Sequence, residues 1–344
     1  MAGRAVTTAA ARLPGALVLR VLHVLPTLDP GGAERLVVEH ARRSEGVAIA
    51  TVFGGGALEP QLPASAALPL GERRPGRPSA RAFARLVAAA RAADVVHTHL
   101  FAGDLWGGLA ARLAGRPQVS HEHNVDRDEA AHVRAARRVI GRWPALTLAV
   151  SEAAARHSFA AEVRVVPNGV DLARFTRPWR GGGGVVALGR RVPQKGFDVL
   201  AAALPSGVHA RLFGTGDPPF SHPQVRWEPP TEAVAELLAG ADVLVVPSRW
   251  EGFGLVALEG LAAGVPVIVT AVDGLVDLVG DAAILVPPDD AAALRDALVR
   301  VLGDAALRHD LSRRGRERAA RFPLERTFSA WNAAYAAATA PTGG

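Results

Sequence analysis

Two glutamates, Glu251 and Glu259, stand eight positions apart in the stretch DVLVVPSRWEGFGLVALEGLAAGVP, residues 242–266. Asp242–Val246 is an apolar run suited to a strand buried on both faces. Pro247 and Ser248 end it, and Leu255–Ala263 has the apolar spacing of a helix pressed onto a sheet. Between them, Gly252 and Gly254 flank Phe253 and strip side chains from the backbone just before the helix begins. A helix N-terminus with bare amides favours an anion, because unpaired N–H groups and the macrodipole act together. Eight helical residues span roughly 12 Å, longer than the about 5 to 9.5 Å between the carboxyls of a glycoside-cleaving pair. The gap suits an elongated ligand held at both ends, with its anionic middle on the helix. A nucleotide-sugar has that shape, and a carboxylate is an acceptor-only group that holds a vicinal diol with both oxygens. Taken alone, the pair also reads as two solvated helix carboxylates, the commoner case.

Three further groupings carry chemistry. The apolar run Val185–Leu188 leads into Gly189-Arg190-Arg191-Val192-Pro193-Gln194-Lys195-Gly196, so a strand end delivers an arginine and, five residues later, a lysine. A diphosphate takes both a planar fork and a point charge; in isolation these are two surface cations, and Arg191 reads as solvated. The first strand, Val18–Leu25, ends in PTLDPGGAE. There Gly31–Gly32 lets backbone approach a phosphate or sugar, or simply makes a turn. The strands Val95–His99 (VVHTH) and Val119–His123 (VSHEH) each place two histidines on one side by period two. A zinc site is one reading of the four, but no supporting carboxylate spacing accompanies them.

The segment PSRWEGFGLVALEGLAAGVPVI resembles the E-x7-E region of the retaining family 4 glycosyltransferases, which have the GT-B fold. Gly189–Gly196 is similar to that family's G-R-x(4)-K-G, Gly-Gly-Ala-Glu-Arg to its first glycine loop, and Gly214-Thr-Gly216 to a later glycine turn. The two histidine strands resemble D-V-V-H-x-H and V-x-x-x-H-N, and PNGVD at 167–171 resembles the close of the N-terminal domain. The resemblance covers about residues 20 to 335. It implies an α/β chain with two Rossmann-like, doubly wound domains facing across a cleft. It also implies a catalytic set of His123, Glu251, Arg190 and Lys195. Arg190 and Lys195 would hold the donor diphosphate and Glu259 the ribose hydroxyls. Gly31, Gly32, Gly214, Gly252, Phe253, Gly254 and Leu255 would complete the donor site, with Glu251 on the sugar. His99 would stand near the acceptor, and the histidine doublet leaves His121 as the alternative to His123. The loop Asp273–Asp277 departs from the usual Gly-Gly-x-x-Glu, so no donor contact is assigned there.

The whole chain bounds this reading. Its 344 residues are enough for two domains, and 49% hydrophobic residues with 36 Gly fit a globular α/β protein. A net charge of +6 without a long basic block suits anionic partners but not a nucleic-acid module. No cysteine is present, so disulfides and thiolate sites are excluded. Arg20 and His23 interrupt the only apolar run near the N-terminus, which speaks against a membrane span and for a cytoplasmic enzyme. The helix Ser79–Ala92 carries Phe83, Leu86, Val87 and Ala90 on one face. With Arg81, Arg85 and Arg91 it reads as an ordinary helix with a solvated basic face or as a peripheral membrane contact.

The expected division is a disordered extension at 1–17, an acceptor-side domain at 18–170 and a linker at 171–184. A donor-binding domain at 185–325 and a helix crossing back with a frayed tail at 326–344 complete it. The expected activity is transfer of a sugar from a nucleotide-sugar to an acceptor hydroxyl with retention, without metal or cofactor. A UDP-sugar stands ahead of a GDP-sugar as donor. The acceptor is a small metabolite, a lipid-linked sugar or a glycan. A sugar-nucleotide epimerase and a non-catalytic binding protein are the alternatives.

Overall fold

A computed structural model describes residues 19–70, 77–125 and 130–340; the expected extension over 1–17 lies outside them. The first sheet contains β1 (Val21–Leu25), β2 (Val47–Thr51), β3 (Ala67–Pro69), β4 (Val95–His99), β5 (Gln118–Glu122), β6 (Leu146–Ala149) and β7 (Val163–Val165). All are parallel, in the order β3-β2-β1-β4-β5-β6-β7. Their connections carry α1 (Gly32–Arg43), α2 (Ala80–Ala92), α3 (Leu100–Ala114), α4 (Ala131–Ile140) and α5 (Glu152–Arg156). Every residue of β1 and β4 is buried, as parallel strands covered on both faces require. Ser79 caps α2 by accepting a hydrogen bond from the Ala82 amide at 3.2 Å.

The second sheet contains β8 (Val185–Leu188), β9 (Ala210–Phe213), β10 (Val225–Glu228), β11 (Val243–Val246), β12 (Val267–Thr270) and β13 (Ile284–Val286). It is also parallel, in the order β10-β9-β8-β11-β12-β13. Its helices are α6 (Phe197–Ala203), α7 (Val234–Gly240), α8 (Leu255–Ala263), α9 (Asp273–Val279), α10 (Ala291–Gly303) and α11 (Ala305–Ala319). The two sheets and their helices make the GT-B architecture of paired Rossmann-like α/β units. In each sheet the strand order reverses once, between β1 and β4 and between β8 and β11. Such a reversal opens a crevice beyond the carboxyl ends of the strands, where ligands bind.

Two local readings change. Asp273–Asp277, expected as a loop, lies in the helix α9 (Asp273–Val279), because Leu275, Leu278 and Val279 repeat at helical spacing and all are buried. Arg191 is not a solvated cation: its guanidinium donates to the carbonyls of Gly216 at 2.7 Å and Glu228 at 2.6 Å and lies over the Trp227 ring. It therefore pins the glycine turn after β9.

The chain then returns to the first sheet. Leu324 opens α12 (Leu324–Thr339), and the Val170 and Leu324 amides donate to the carbonyls of Phe322 and Val170, each at 3.0 Å. Leu324, Phe328, Trp331, Ala334 and Tyr335 join the core of β1, β4 and β5. Trp331 and Tyr335 are fully buried there. Among the described residues no helix is long and apolar enough to cross a membrane. Trp331 is one of the largest fully buried side chains, so Trp331→Ala removes contacts that its neighbours cannot recover. We expect a loss of about 3–5 kcal/mol in the urea-induced unfolding of the first domain.

Candidate active site

The loops that leave β1, β8 and β11 meet across a cleft of about 630 Å³, within the size range of small-molecule sites. From the second domain come Gly189, Arg190 and Lys195 after β8, Gly214 after β9, and Glu251, Phe253, Gly254, Leu255 and Glu259 around the start of α8. From the first come Gly31, Gly32 and Glu34 after β1, with His123 and Asn124 after β5. Of the residues singled out in the sequence, Gly252 is not among the cleft-lining set. It packs behind the cleft, where a Cβ would lie 2.0 Å from the His123 carbonyl oxygen.

Glycine is needed where backbone must approach backbone. Gly254 is the N-cap of α8 at φ +95°, and a side chain there would also strike Leu275. A Cβ on Gly32 would lie 2.8 Å from Leu255, so the first glycine loop presses directly on the opening turn of α8. Ser151, at the start of α5, donates to the Gly252 carbonyl at 2.6 Å and ties the domains at the same point.

The charges are arranged in depth. Lys195 and Glu251 form an ion pair, with side chains 17% and 12% exposed. Ser248 donates to the same carboxylate oxygen at 2.9 Å. The Arg190 side chain makes no hydrogen bond or ion pair among the described residues and lies exposed in the cleft. Burial raises the Glu34 carboxyl above its usual range, and the nearby Arg190 charge partly offsets this. Glu259 is likewise raised by burial, offset by Arg35 and Arg174. Spacing in the sequence did not reveal Ser248, Glu34, Arg35 or Arg174. Glu34 and Arg35 lie in the Gly-Gly-Ala-Glu-Arg motif, directly after its glycines and Ala33.

Six histidines, His23, His40, His97, His99, His121 and His123, form one cluster. Register places His23 of β1 beside His97 of β4, and His99 beside His121 of β5. β5 ends at Glu122, so His123 leaves the sheet and reaches the cleft. His121 is fully buried, and neither of its ring nitrogens has a partner. His99, expected beside the acceptor, is also fully buried and bonds His123 through Nδ1 at 2.9 Å. His97 bonds the Tyr335 hydroxyl at 2.7 Å. Two groups, His23–His97–His99 and His99–His121–His123, bring ring nitrogens within 4.8 Å of one another. That is close enough to share an ion, although several of these nitrogens bond each other instead. Burial holds His23, His97, His99 and His121 well below the usual imidazole range, lowers His40 to about 4 and His123 to about 3.

Comparison with known proteins bears on this site. The family described as Glycosyltransferase Family 4 matches residues 30–174, and Glycosyl transferases group 1 matches residues 183–304. The D-inositol 3-phosphate glycosyltransferase of Salinispora arenicola is 31% identical over 319 residues, covering 73% of this chain and 70% of that protein. Its counterpart in Geodermatophilus obscurus is 34% identical, with 71% and 66% covered. Among solved structures, Anabaena HepE in complex with UDP and glucose aligns with a TM-score of 0.79 at 20% identity, covering 92% of this chain and 99% of that one. Sucrose-phosphate synthase from Thermosynechococcus elongatus aligns with a TM-score of 0.74 at 23% identity, covering 92% and 98%.

Two outcomes follow from the geometry. Gly252→Ala forces a methyl group into the His123 carbonyl, so the protein is expected to fold but lose at least about tenfold in kcat, the scale at which small misplacements in a site act. Steady-state kinetics beside circular dichroism checks this. The six histidines stay neutral when folded but gain protons near pH 6.5 when unfolded. Their stabilisation is complete above that pH and is lost as pH falls toward 4 and 3. The urea midpoint is therefore expected to drop steeply between pH 6.5 and 5; a flat midpoint contradicts the assignment.

Proposed function

Because the chain belongs to the family 4 glycosyltransferases, we propose that it moves a sugar from a nucleotide-sugar to an acceptor hydroxyl with retention of anomeric configuration. A UDP-sugar is the preferred donor and a GDP-sugar the alternative. One observation carries the reading: the cleft sets Arg190, the Lys195–Glu251 pair and the bare N-terminus of α8 on one wall, with His123 facing them from the other domain. The UDP and glucose held by Anabaena HepE support the donor class.

In this reading the donor diphosphate lies against Arg190, Lys195 and the amides that open α8. Glu259 accepts from the ribose hydroxyls, and Glu251 accepts from the sugar while Lys195 and Ser248 fix its orientation. The acceptor oxygen forms its bond to the anomeric carbon on the face that the diphosphate leaves. The electron pair of the breaking carbon–oxygen bond goes to the diphosphate, and the acceptor proton passes to a diphosphate oxygen. The charge that develops there is met by fixed cations and amides, which stabilise it without reorganising. No metal enters the proposal. A small polyhydroxylated acceptor of the inositol phosphate class is favoured by the names of the matched relatives, ahead of a lipid-linked sugar or a glycan.

The test is acceptor-dependent release of nucleoside diphosphate from a panel of UDP- and GDP-sugars, with and without a chelator. Nuclear magnetic resonance reads the anomer formed. The expected result is turnover that survives the chelator, a product anomer matching the donor, and a fall of at least about 100-fold in kcat for Arg190→Ala, the scale of losing one fixed donor to a developing charge. An inverted anomer, epimerised nucleotide-sugar without acceptor, or no turnover by folded protein overturns the reading.

A further inference from the structure

Four imidazoles make one hydrogen-bonded line from the cleft to the interior beneath α12. His123 Nε2 meets His99 Nδ1 at 2.9 Å, His99 Nε2 meets His23 Nδ1 at 2.8 Å, and His23 Nε2 meets His40 Nδ1 at 2.9 Å. The pattern is the same at each step, Nδ1 of the inner ring against Nε2 of the outer. A neutral imidazole carries one N–H and one bare nitrogen. The line therefore admits two fully bonded arrangements, with every N–H pointing outward to the cleft or every N–H pointing inward. Any mixture sets two protons or two lone pairs against each other at one joint.

The inner end decides between them. His40 Nε2 is buried and has no partner; of the rings packed around it, Phe328 and Trp331 offer no lone pair, and the hydroxyl of Tyr335 bonds His97 instead. Protons pointing inward would leave an orphaned N–H there, whereas protons pointing outward leave only an unpaired acceptor. Buried N–H groups without partners are the rarer of the two, and each joint polarises the next, so one end sets the whole line. At the outer end His123 lines the cleft, and its Nδ1 makes no hydrogen bond among the described residues.

We infer that all four rings carry their proton on Nδ1, and that His40, His23 and His99 are positioning residues that hold His123 as a hydrogen-bond donor to the cleft. Burial keeps the rings neutral at pH 7, so the line transmits a tautomer and not a charge. The functional part rests on the transferase reading above. With its Nε2 occupied by His99, His123 offers Nδ1–H to an oxygen of the sugar or acceptor and has no free lone pair for the acceptor proton. That proton is left to the departing diphosphate.

The direct test is a long-range proton–nitrogen correlation spectrum of the full chain with 15N-labelled histidine at pH 7, assigned by ring-to-backbone correlation. The expected result is a protonated Nδ1 and a bare Nε2 at His40, His23, His99 and His123. A proton on Nε2 at any of the four, an imidazolium, or a metal-bound ring nitrogen overturns the inference. A second arm compares His40→Leu with His40→Asn, whose amide N–H stands in for Nδ1–H. The expected result is a loss of about tenfold in kcat for the leucine variant, the lower end of the scale at which removing the outer partner of a metal-bound histidine acts. Donor KM should change by less than about twofold, and the asparagine variant should recover most of the loss. Equal kcat for the leucine variant and the parent overturns the positioning role. The spectrum reads proton positions whatever the enzyme transfers, so failure of the transferase reading and failure of the tautomer line are seen separately.

Discussion

The structure depends on a contact in which two domains meet through bare backbone. The His123 carbonyl leaves no room for even a methyl group on Gly252, and Ser151 closes the same joint by donating to the Gly252 carbonyl. A few residues on, Gly32 admits Leu255 against the first glycine loop. These approaches bring the carboxyl ends of two parallel sheets face to face at their strand reversals. Everything chemical in the cleft follows from that. The cations after β8 and the amides at α8 sit on one side, and the single histidine that escapes β5 sits on the other.

The return of α12 serves the same joint from behind. Trp331 packs against His23, His97, His99 and His121, and Tyr335 bonds His97. A helix that follows the second domain in sequence thus completes the core of the first. The histidines behind the cleft are enclosed by it, which excludes water and makes the neutral imidazole the stable form.

Much of the architecture was legible because its signals are local. The run VLVV is buried on both faces at the strand expected, and Leu255–Ala263 is a helix with the expected limits. Gly254 and Gly32 were readable as places for bare backbone, although the sequence gives no hint that Leu255 is the group Gly32 admits. What escaped depends on register and on distant contacts. Arg191 lies beside the cleft cation Arg190, yet its partners at Gly216 and Glu228 lie on other segments. The helix α9 is too short for a periodicity to stand out. His23 and His40 are single histidines in different elements, and only strand pairing and the docking of α1 bring them into line with His99. Glu34 and Arg35 lie within a recognisable motif, but burial and facing charges, not residue type, give them their character.

The central claim is that a nucleotide diphosphate binds where the two strand reversals meet, held by Arg190 and Glu259. Thermal unfolding of the purified protein with and without nucleoside diphosphates, in the absence of metal, tests it most directly. Binding to the folded state alone stabilises by about 2.7 kcal/mol at a hundredfold excess over the dissociation constant. The account predicts a rise in melting temperature with one base family, lost in Arg190→Ala and in Glu259→Ala. An equal rise in both variants, or none in the well-folded parent protein with any nucleotide, would contradict it.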